Sequence, residues 1–290
     1  MIDKAFVEIT NICNLNCDFC TGHTRKNQVM SPDEFLKILK KLDGKIKYLY
    51  LHLMGEPLTH PHLSEILRLA DGFDFRVMLT TNGTLLEKVG DTLLSCEKLF
   101  KVSISVHSFE GNKGNNGLDE YLDSCIAFAD KAKTKGVITV FRLWNRGGKD
   151  SFNEDIIRRL HTYSTMCESV PAPNRSGERL SDKVFIEWGD KFDWPEDSYN
   201  ACDTAGTDES AFCYALRDQF GILVDGSVVP CCLDSNGRMV LGNIFESELD
   251  EILSSSRARA IYDGFTVHRA VEDLCKSCER GKIYRKKQQR

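Results

Sequence analysis

Residues 5–20 read AFVEITNICNLNCDFC, a short apolar stretch followed by three cysteines within eight residues. The first half, Ala5–Thr10, has the β-branched and aromatic content of a strand. The second half has the spacing Cys13-x3-Cys17-x2-Cys20, which lets one loop wrap a metal centre. A structural zinc site normally has four protein ligands, whereas a cubane cluster with three thiolates keeps one iron open for a small molecule. Three thiols therefore favour an iron–sulfur cluster, with zinc or merely buried thiols as the alternatives.

The composition excludes several classes of protein. The chain has 290 residues, 41% of them hydrophobic, and a net charge of −5, which fits a globular protein with one large domain and room for a small one. We expect a cytoplasmic protein, because neither a secretory leader nor a stretch of membrane-spanning length is evident. The basic tail over residues 282–290 lacks the interleaved aromatics of a nucleic-acid surface, so we expect neither nucleic acid nor membrane as a partner. Twelve cysteines without a secretion signal indicate metal or redox chemistry.

Apolar strand patterns alternate with helical patterns through the first two thirds of the chain, which favours β/α units around a parallel sheet. We predict an α/β fold, a partial (β/α)6 TIM barrel with its active face at the carboxyl ends of the strands. A polar stretch over residues 166–180 is predicted to be a loop. The predicted strands are Ala5–Thr10, Lys47–Leu53, Phe75–Thr80, Lys101–Val106, Val137–Leu143 and Val184–Trp188. The predicted helices are one from Ser31 to Gly44, then Leu63–Ala70, Leu85–Ser95, Leu118–Lys133 and Asn153–Tyr163.

The segments at the strand ends carry a resemblance. The second strand runs into His52-Leu-Met-Gly55-Glu56-Pro57, and the third ends in Thr80-Thr-Asn82-Gly. Together with the cysteine spacing, these segments resemble the radical SAM superfamily, whose Gly-Gly-Glu-Pro segment would here have Met54 in place of the first glycine. The resemblance implies a [4Fe-4S] cluster on Cys13, Cys17 and Cys20 that cleaves S-adenosylmethionine (SAM) reductively.

The same resemblance suggests a role for individual residues. Glu56 would receive the amino group of SAM, as a carboxylate suits an ammonium, and Gly55 would let backbone groups approach the ligand. The period-2 pattern of the fourth strand predicts that Ser103, Ser105 and His107 share one face. Other cofactor contacts implied by the resemblance are Phe19 beside the adenine, Asn82 in a turn beside the cofactor, Ser103, Ser105 on the ribose, and Arg142 on the SAM carboxylate or the substrate. Arg142 and His107 are also candidate catalytic residues, although His107, like His52, is more often a satisfied core histidine.

A second group of cysteines follows a composition shift near residues 196–210, where we place the boundary between domains 1–195 and 196–290. A hairpin signal at Asp225-Gly226 would bring Cys213 near Cys231, and Cys275-x2-Cys278 would complete the set after a helix around Leu249–Ile261. This ligand order resembles the twitch or SPASM auxiliary-cluster domains, and its layout is similar to the 2-deoxy-scyllo-inosamine dehydrogenase family. We therefore predict a small α+β iron–sulfur domain with one auxiliary [4Fe-4S] cluster on Cys213, Cys231, Cys275 and Cys278. Structural zinc is the alternative there, Cys232 could replace Cys231, and the ordinary thiols are Cys96, Cys125, Cys167 and Cys202.

Two classes of function remain from the sequence. The first is a radical SAM enzyme that oxidises a small alcohol or sugar-like substrate, or else modifies a ribosomally made peptide; we prefer the alcohol, because no room for a peptide-recognition domain is evident before Ala5. Its cofactors would be two [4Fe-4S] clusters and SAM, with flavodoxin or ferredoxin as a low-potential electron donor. The second is a non-catalytic electron carrier or metal-stabilised binding protein, which explains the cysteines but not the ordered strand-end segments.

Overall fold

The computed structural model describes residues 2–112, 117–168, 172–174, 176–191, 193–197 and 209–288. Cys202 and the last two residues of the basic tail lie outside this part of the chain. So does most of the stretch in which we place the domain boundary, and that boundary stays a prediction. Within the described residues, no helix has both the length and the apolar character needed to cross a membrane.

A mainly parallel sheet forms the body of the molecule. Six strands follow the predicted barrel order, each within a few residues of its predicted range: β1 Lys4–Val7, β2 Tyr48–Tyr50, β3 Arg76–Thr81, β4 Leu99–Ser105, β5 Ile138–Arg146 and β8 Val184–Asp190. The helices between them are α1 Pro32–Leu42, α2 Leu63–Asp71, α3 Leu86–Leu93, a one-turn α4 Ser108–Gly111, α5 Leu118–Thr134 and α6 Asn153–Met166. The predicted partial barrel is therefore confirmed.

The main helices begin and pack for the expected reasons. Ser31 caps α1 by accepting the Glu34 backbone N–H, and the Glu34 side chain accepts the Ser31 N–H in return. The apolar face of α1 is fully buried against the sheet, as are the inward faces of α2 and α5. This burial on the outer side of the sheet leaves the opposite side of the strands to line the barrel interior.

The prediction of a loop over residues 166–180 was wrong. This stretch contains β6 Ala172–Asn174 and β7 Gly177–Ser181, an antiparallel hairpin that adds two strands beyond β8. Of the five residues of β7 only Leu180 and Ser181 are buried, which is too few to produce an alternation of hydrophobic residues, so the sequence looks like a loop. Gly177 is required because a Cβ there would lie 1.9 Å from the Ile186 carbonyl oxygen of β8.

The C-terminal strands continue the barrel sheet from its other edge. Strand β9, Gln219–Ile222, pairs in parallel with β1 and turns through Gly226 into β10 Ser227–Val229, which confirms the predicted hairpin; β11 Gly242–Asn243 follows. The helix predicted around Leu249–Ile261 is instead two helices, α7 Leu249–Leu253 and α8 Ser256–Thr266. The break occurs because the Ser255 hydroxyl accepts the Ala258 backbone N–H and starts a new helix. The chain then forms α9 Asp273–Ser277 and α10 Glu279–Gln288.

Candidate active site

The N-terminal cysteine loop joins β1 to α1 and is closed by Asn11. Its side-chain NH2 donates to the Lys26 carbonyl at 2.9 Å, and its Oδ1 accepts the Gln28 N–H at 2.7 Å. The Asn112 amide donates to the Cys17 Sγ at 3.0 Å, while the Asp18 N–H donates to the Gly111 carbonyl. The loop is therefore held at its base and along one side by α4.

Cys17 is half-buried, whereas Cys13 and Cys20 are exposed. Partial desolvation by the surrounding chain is the largest cause that raises the pKa of each thiol. The pKa of Cys17 rises to about 11, to which the charges of Cys20 and Cys13 contribute. Free thiols here are thus protonated at neutral pH, and a bound metal must displace those protons. Three soft donors on one short loop suit an iron–sulfur cluster.

Gly111 makes room for the aromatic ring of the cysteine loop. A Cβ at this position would lie 2.6 Å from the Phe19 ring and 3.2 Å from the Cys17 Cβ. We expect Gly111→Ala to displace the loop and to lower the iron content and the electron paramagnetic resonance signal of the N-terminal cluster. The double variant Gly111→Ala/Phe19→Ala removes the closer contact and should recover much of that signal. Equal signals in wild type and Gly111→Ala would contradict this packing.

The Gly-Glu-Pro segment is built into the protein interior. Gly55 has φ +74°, and a Cβ there would lie 2.6 Å from the Thr10 carbonyl oxygen, so the close approach it permits is to the chain itself. The Glu56 carboxylate is buried and accepts three hydrogen bonds, from the Thr81 hydroxyl and the backbone N–H groups of Asn82 and Leu58. Burial raises the pKa of Glu56 to about 7, against these hydrogen bonds. Glu56 thus holds strand-end loops together, and its contact with SAM stays a prediction.

Asn82 connects the end of β3 to the cysteine loop. Its side-chain NH2 donates to the Asn14 Oδ1 at 2.9 Å, next to Cys13, and its Oδ1 accepts from the Thr84 hydroxyl at 2.7 Å. Its own N–H is bound by Glu56. The structure therefore places Asn82 where it positions the cysteine loop, with its side chain occupied by protein partners.

A cavity of about 420 Å³ lies inside the barrel and is shared with the C-terminal region. Of the predicted site residues on the barrel, four line it: Phe19, Ser105, His107 and Arg142. Ser103 is buried in β4 but is not among the lining residues, and neither are Gly55, Glu56 and Asn82. The cavity is therefore lined by Ser105 at the end of β4 and by His107 two residues beyond it, and Ser103 is not part of this lining.

His107 is neutral at physiological pH. Burial is the main cause that lowers its pKa to about 4, and the charge of Arg142 contributes. Its Nδ1 lies 2.9 Å from the Arg142 carbonyl oxygen, so in the neutral ring Nδ1–H donates and Nε2 keeps its lone pair. The ring lies 4.7 Å from that of Phe19. A histidine in this state accepts a hydrogen bond well but is a weak base.

Arg142 is a buried cation at the cavity wall. Its Nη1 donates to the Thr80 hydroxyl at 3.2 Å, its Nε lies 3.6 Å from the Glu187 carboxylate, and its guanidinium lies 4.5 Å from the Trp144 ring centroid. Burial lowers the pKa of Arg142, and Glu187 opposes that shift. Its Nε has no hydrogen-bond partner among the described residues. An incompletely satisfied guanidinium at a cavity wall is suited to binding an anionic or hydroxyl-bearing ligand.

The second cysteine set lines the same cavity. Cys213 precedes β9, Cys231 follows β10, and Cys275 and Cys278 lie in and directly after α9. Burial raises the pKa of all four, that of Cys213 to about 11, and the charges of the other three contribute to the raised pKa of Cys231. Cys232 lines the cavity as well. Among the described residues, no three His, Cys, Asp or Glu side chains meet at the spacing that one metal ion requires.

The sequence model of the radical SAM superfamily matches residues 7–154 of this 290-residue chain. The chain belongs to the radical SAM superfamily. A second model, the SPASM iron–sulfur cluster-binding domain, matches residues 213–279. The protein is thus a radical SAM enzyme that binds SAM, a [4Fe-4S] cluster and an auxiliary iron–sulfur cluster. The match favours an enzyme over a non-catalytic protein and an auxiliary iron–sulfur cluster over structural zinc, while the individual cysteine ligands stay a prediction.

Known proteins that are similar to this radical SAM enzyme align with different fractions of its chain. The GTP 3′,8-cyclase of Chlorobaculum tepidum is 32% identical over 121 residues, which span 39% of this chain and 35% of that protein. The SAM-dependent 2-deoxy-scyllo-inosamine dehydrogenase of Niallia circulans is 22% identical over 296 residues, 96% of this chain and 94% of that one. BtrN in complex with AdoMet and 2-DOIA has a TM-score of 0.59 at 18% identity, covering 96% and 93% of the two chains. Streptococcus suis SuiB bound to precursor peptide SuiA has a TM-score of 0.59 at 16% identity, covering 98% and 71%.

Several cavity residues of this radical SAM enzyme were not predicted as functional. Lys4 and Phe6 lie two residues apart on β1 and both line the cavity, as do Tyr50, Lys191 and Arg280. The period-2 pattern of β1 could have indicated the first two. Lys191 directly follows β8, and Arg280 lies two residues after Cys278. No local sequence pattern distinguishes a residue in either position from an ordinary surface cation.

Proposed function

We propose that this radical SAM enzyme removes a hydrogen atom from a small alcohol or sugar-like substrate and completes its oxidation to a carbonyl. The proposal rests on one cavity that is lined both by the barrel residues Ser105, His107 and Arg142 and by the auxiliary cysteines. Its volume of about 420 Å³ is in the range of small-molecule sites. A substrate bound there would lie near both the barrel residues and the auxiliary cysteines.

The cofactors would carry out the electron transfers, and the protein chain would hold the clusters. When bound, the N-terminal cluster supplies the electron that cleaves SAM, and the auxiliary cluster offers an acceptor for the second electron of the oxidation. The residues Cys13, Cys17 and Cys20 would hold the first cluster; those for the second would be Cys213, Cys231, Cys275 and Cys278. A low-potential donor such as flavodoxin or ferredoxin would supply the reducing electron.

The cavity residues would orient the substrate and exclude solvent. Arg142 can hold a hydroxyl or the carboxylate of SAM, because its cationic side chain lines the cavity. His107 presents a neutral Nε2 that can accept a hydrogen bond from the substrate hydroxyl. Its pKa of about 4 makes it a poor final acceptor for the hydroxyl proton, so it serves to orient that hydroxyl. The aromatic rings of Phe19 and Trp144 line the same space and limit access of water.

The test is hydrogen transfer from a labelled alcohol. The reconstituted enzyme is incubated anaerobically with SAM, dithionite and cyclitols or sugars deuterated at a carbinol carbon, 2-deoxy-scyllo-inosamine included. We expect deuterium in 5′-deoxyadenosine and one carbonyl product for each SAM consumed. Unlabelled 5′-deoxyadenosine with every alcohol, together with no carbonyl product, would contradict the proposal.

A peptide substrate is the second candidate, supported by the likeness to SuiB bound to its precursor peptide. Deuterium transfer from a peptide labelled at side-chain and α carbons, without transfer from any alcohol, would favour this candidate. The same assay therefore separates the two substrate classes.

A further inference from the structure

The wall of the shared cavity carries an excess of positive charge. Among the described residues that line it are four cations and no aspartate or glutamate. The cations are Lys4, Arg142, Lys191 and Arg280. Like charges gathered around a low-dielectric cavity raise the local concentration of oppositely charged ligands.

The positive charges of two of these cations are partly neutralised by nearby carboxylates that do not line the cavity. The Lys4 Nζ lies 2.5 Å from the Asp218 carboxylate, and the Arg142 Nε lies 3.6 Å from that of Glu187. The second distance is an ion pair without a hydrogen bond. Neither of these carboxylates lines the cavity itself, so the lining residues keep their excess of positive charge.

The other two cations lie where the barrel meets the auxiliary region. Lys191 directly follows β8, and its backbone N–H donates to the Arg146 carbonyl at 2.9 Å. The described carboxylates include no ion-pair partner for Lys191. The Arg280 guanidinium lies 5.3 Å from the centroid of Trp144, the ring that also contacts Arg142.

We infer that the substrate carries an anionic group, a phosphate or a carboxylate, and that Lys191 and Arg280 bind it beside Trp144. This inference rests on the proposed function only in placing the substrate in this cavity. A thiolate-ligated cluster is itself anionic and offsets part of the charge on the side of Arg280, which follows Cys278. Lys191 is carried by the barrel strand β8 instead, so its charge is available to a ligand.

The test measures anion binding to the loaded enzyme without any turnover. The holoenzyme without SAM, its clusters reduced and paramagnetic, is titrated with inorganic phosphate while the ³¹P relaxation rate is followed. A second titration uses ¹³C-labelled acetate. A nucleus bound in the cavity relaxes faster because it lies near the clusters, so the rate reports the location as well as the affinity. Enhancement by phosphate, by acetate or by both distinguishes the two kinds of anion.

We expect at least one anion to show enhanced relaxation that saturates, and Lys191→Met to weaken its binding by about tenfold, the value of one charge-assisted hydrogen bond. Arg280→Gln should weaken it similarly, while the matched surface variant Lys88→Met should leave it unchanged. Iron content verifies that each variant retains its clusters. If neither anion relaxes faster with wild type than with Lys191→Met, the inference is wrong. No alcohol is oxidised in this experiment. If anion binding saturates but no deuterium is transferred from any alcohol, the proposed function is wrong and the inference of an anion site still holds.

Discussion

Arg25→Met is expected to lower the free energy of unfolding by about 3–5 kcal/mol, because it leaves a buried carboxylate without its cation. Glu8 has a fully buried side chain and accepts both Nη groups of Arg25, at 2.7 and 2.8 Å. It also accepts the backbone N–H groups of Met54 and Val224. One carboxylate thus joins β1, the cysteine loop, the Gly-Glu-Pro segment and the C-terminal hairpin. The two cluster sites are held in fixed relation through this contact.

Anaerobic urea unfolding followed by circular dichroism measures the loss. The matched control is Lys45→Met, which breaks the exposed ion pair with Asp250 and should cost less than about 1 kcal/mol. Equal midpoints for the two variants would show that the Glu8 contact has no special role. Arg25→Met should also lower the yield of both clusters on reconstitution, because Arg25 Nε donates to the Ser235 carbonyl of the C-terminal region.

Cys231→Ser is expected to abolish carbonyl formation, by a factor of about 100 or more, while SAM is still cleaved. Cys231 lines the cavity together with the other three cysteines of the auxiliary set, and their charges contribute to its raised pKa. Removing it should deprive the auxiliary cluster of a ligand. The N-terminal cysteines belong to a different loop and are left intact.

The measurement combines iron content, 5′-deoxyadenosine and carbonyl product in one reaction. Cys167→Ser is the matched control, since Cys167 is a half-buried thiol outside the cavity. Full iron content and normal product in Cys231→Ser would mean that Cys232 serves as the ligand instead. In that case the corresponding loss should appear in Cys232→Ser.

The strands of the barrel were predictable because burial forces apolar residues into continuous runs. All six predicted strands are present, and the capping residues Ser31 and Glu34 located the start of α1. The β6–β7 hairpin was missed because an edge hairpin with a polar face has no such constraint. The helix break before Ser255 was missed because a serine is tolerated inside a helix as well as at its start.

The ligand cysteines could be predicted because their chemistry depends on spacing along the chain. The surroundings of Glu56 could not, because its partners Thr81 and Asn82 come from another strand. Glu8 carried a signal that could have been used, since a carboxylate within an otherwise apolar strand must be paired. The cations at Lys191 and Arg280 depend on how the strand end and the C-terminal helices meet, which no local pattern reveals.

We propose that Cys13, Cys17 and Cys20 hold the cluster that cleaves SAM. The most direct test of this proposal is 5′-deoxyadenosine formation by the anaerobically reconstituted protein with SAM and dithionite, compared with Cys17→Ala. We predict steady formation by the wild type and background levels in the variant, with the auxiliary iron retained in both. No 5′-deoxyadenosine from the wild type above the level of Cys17→Ala would contradict the claim.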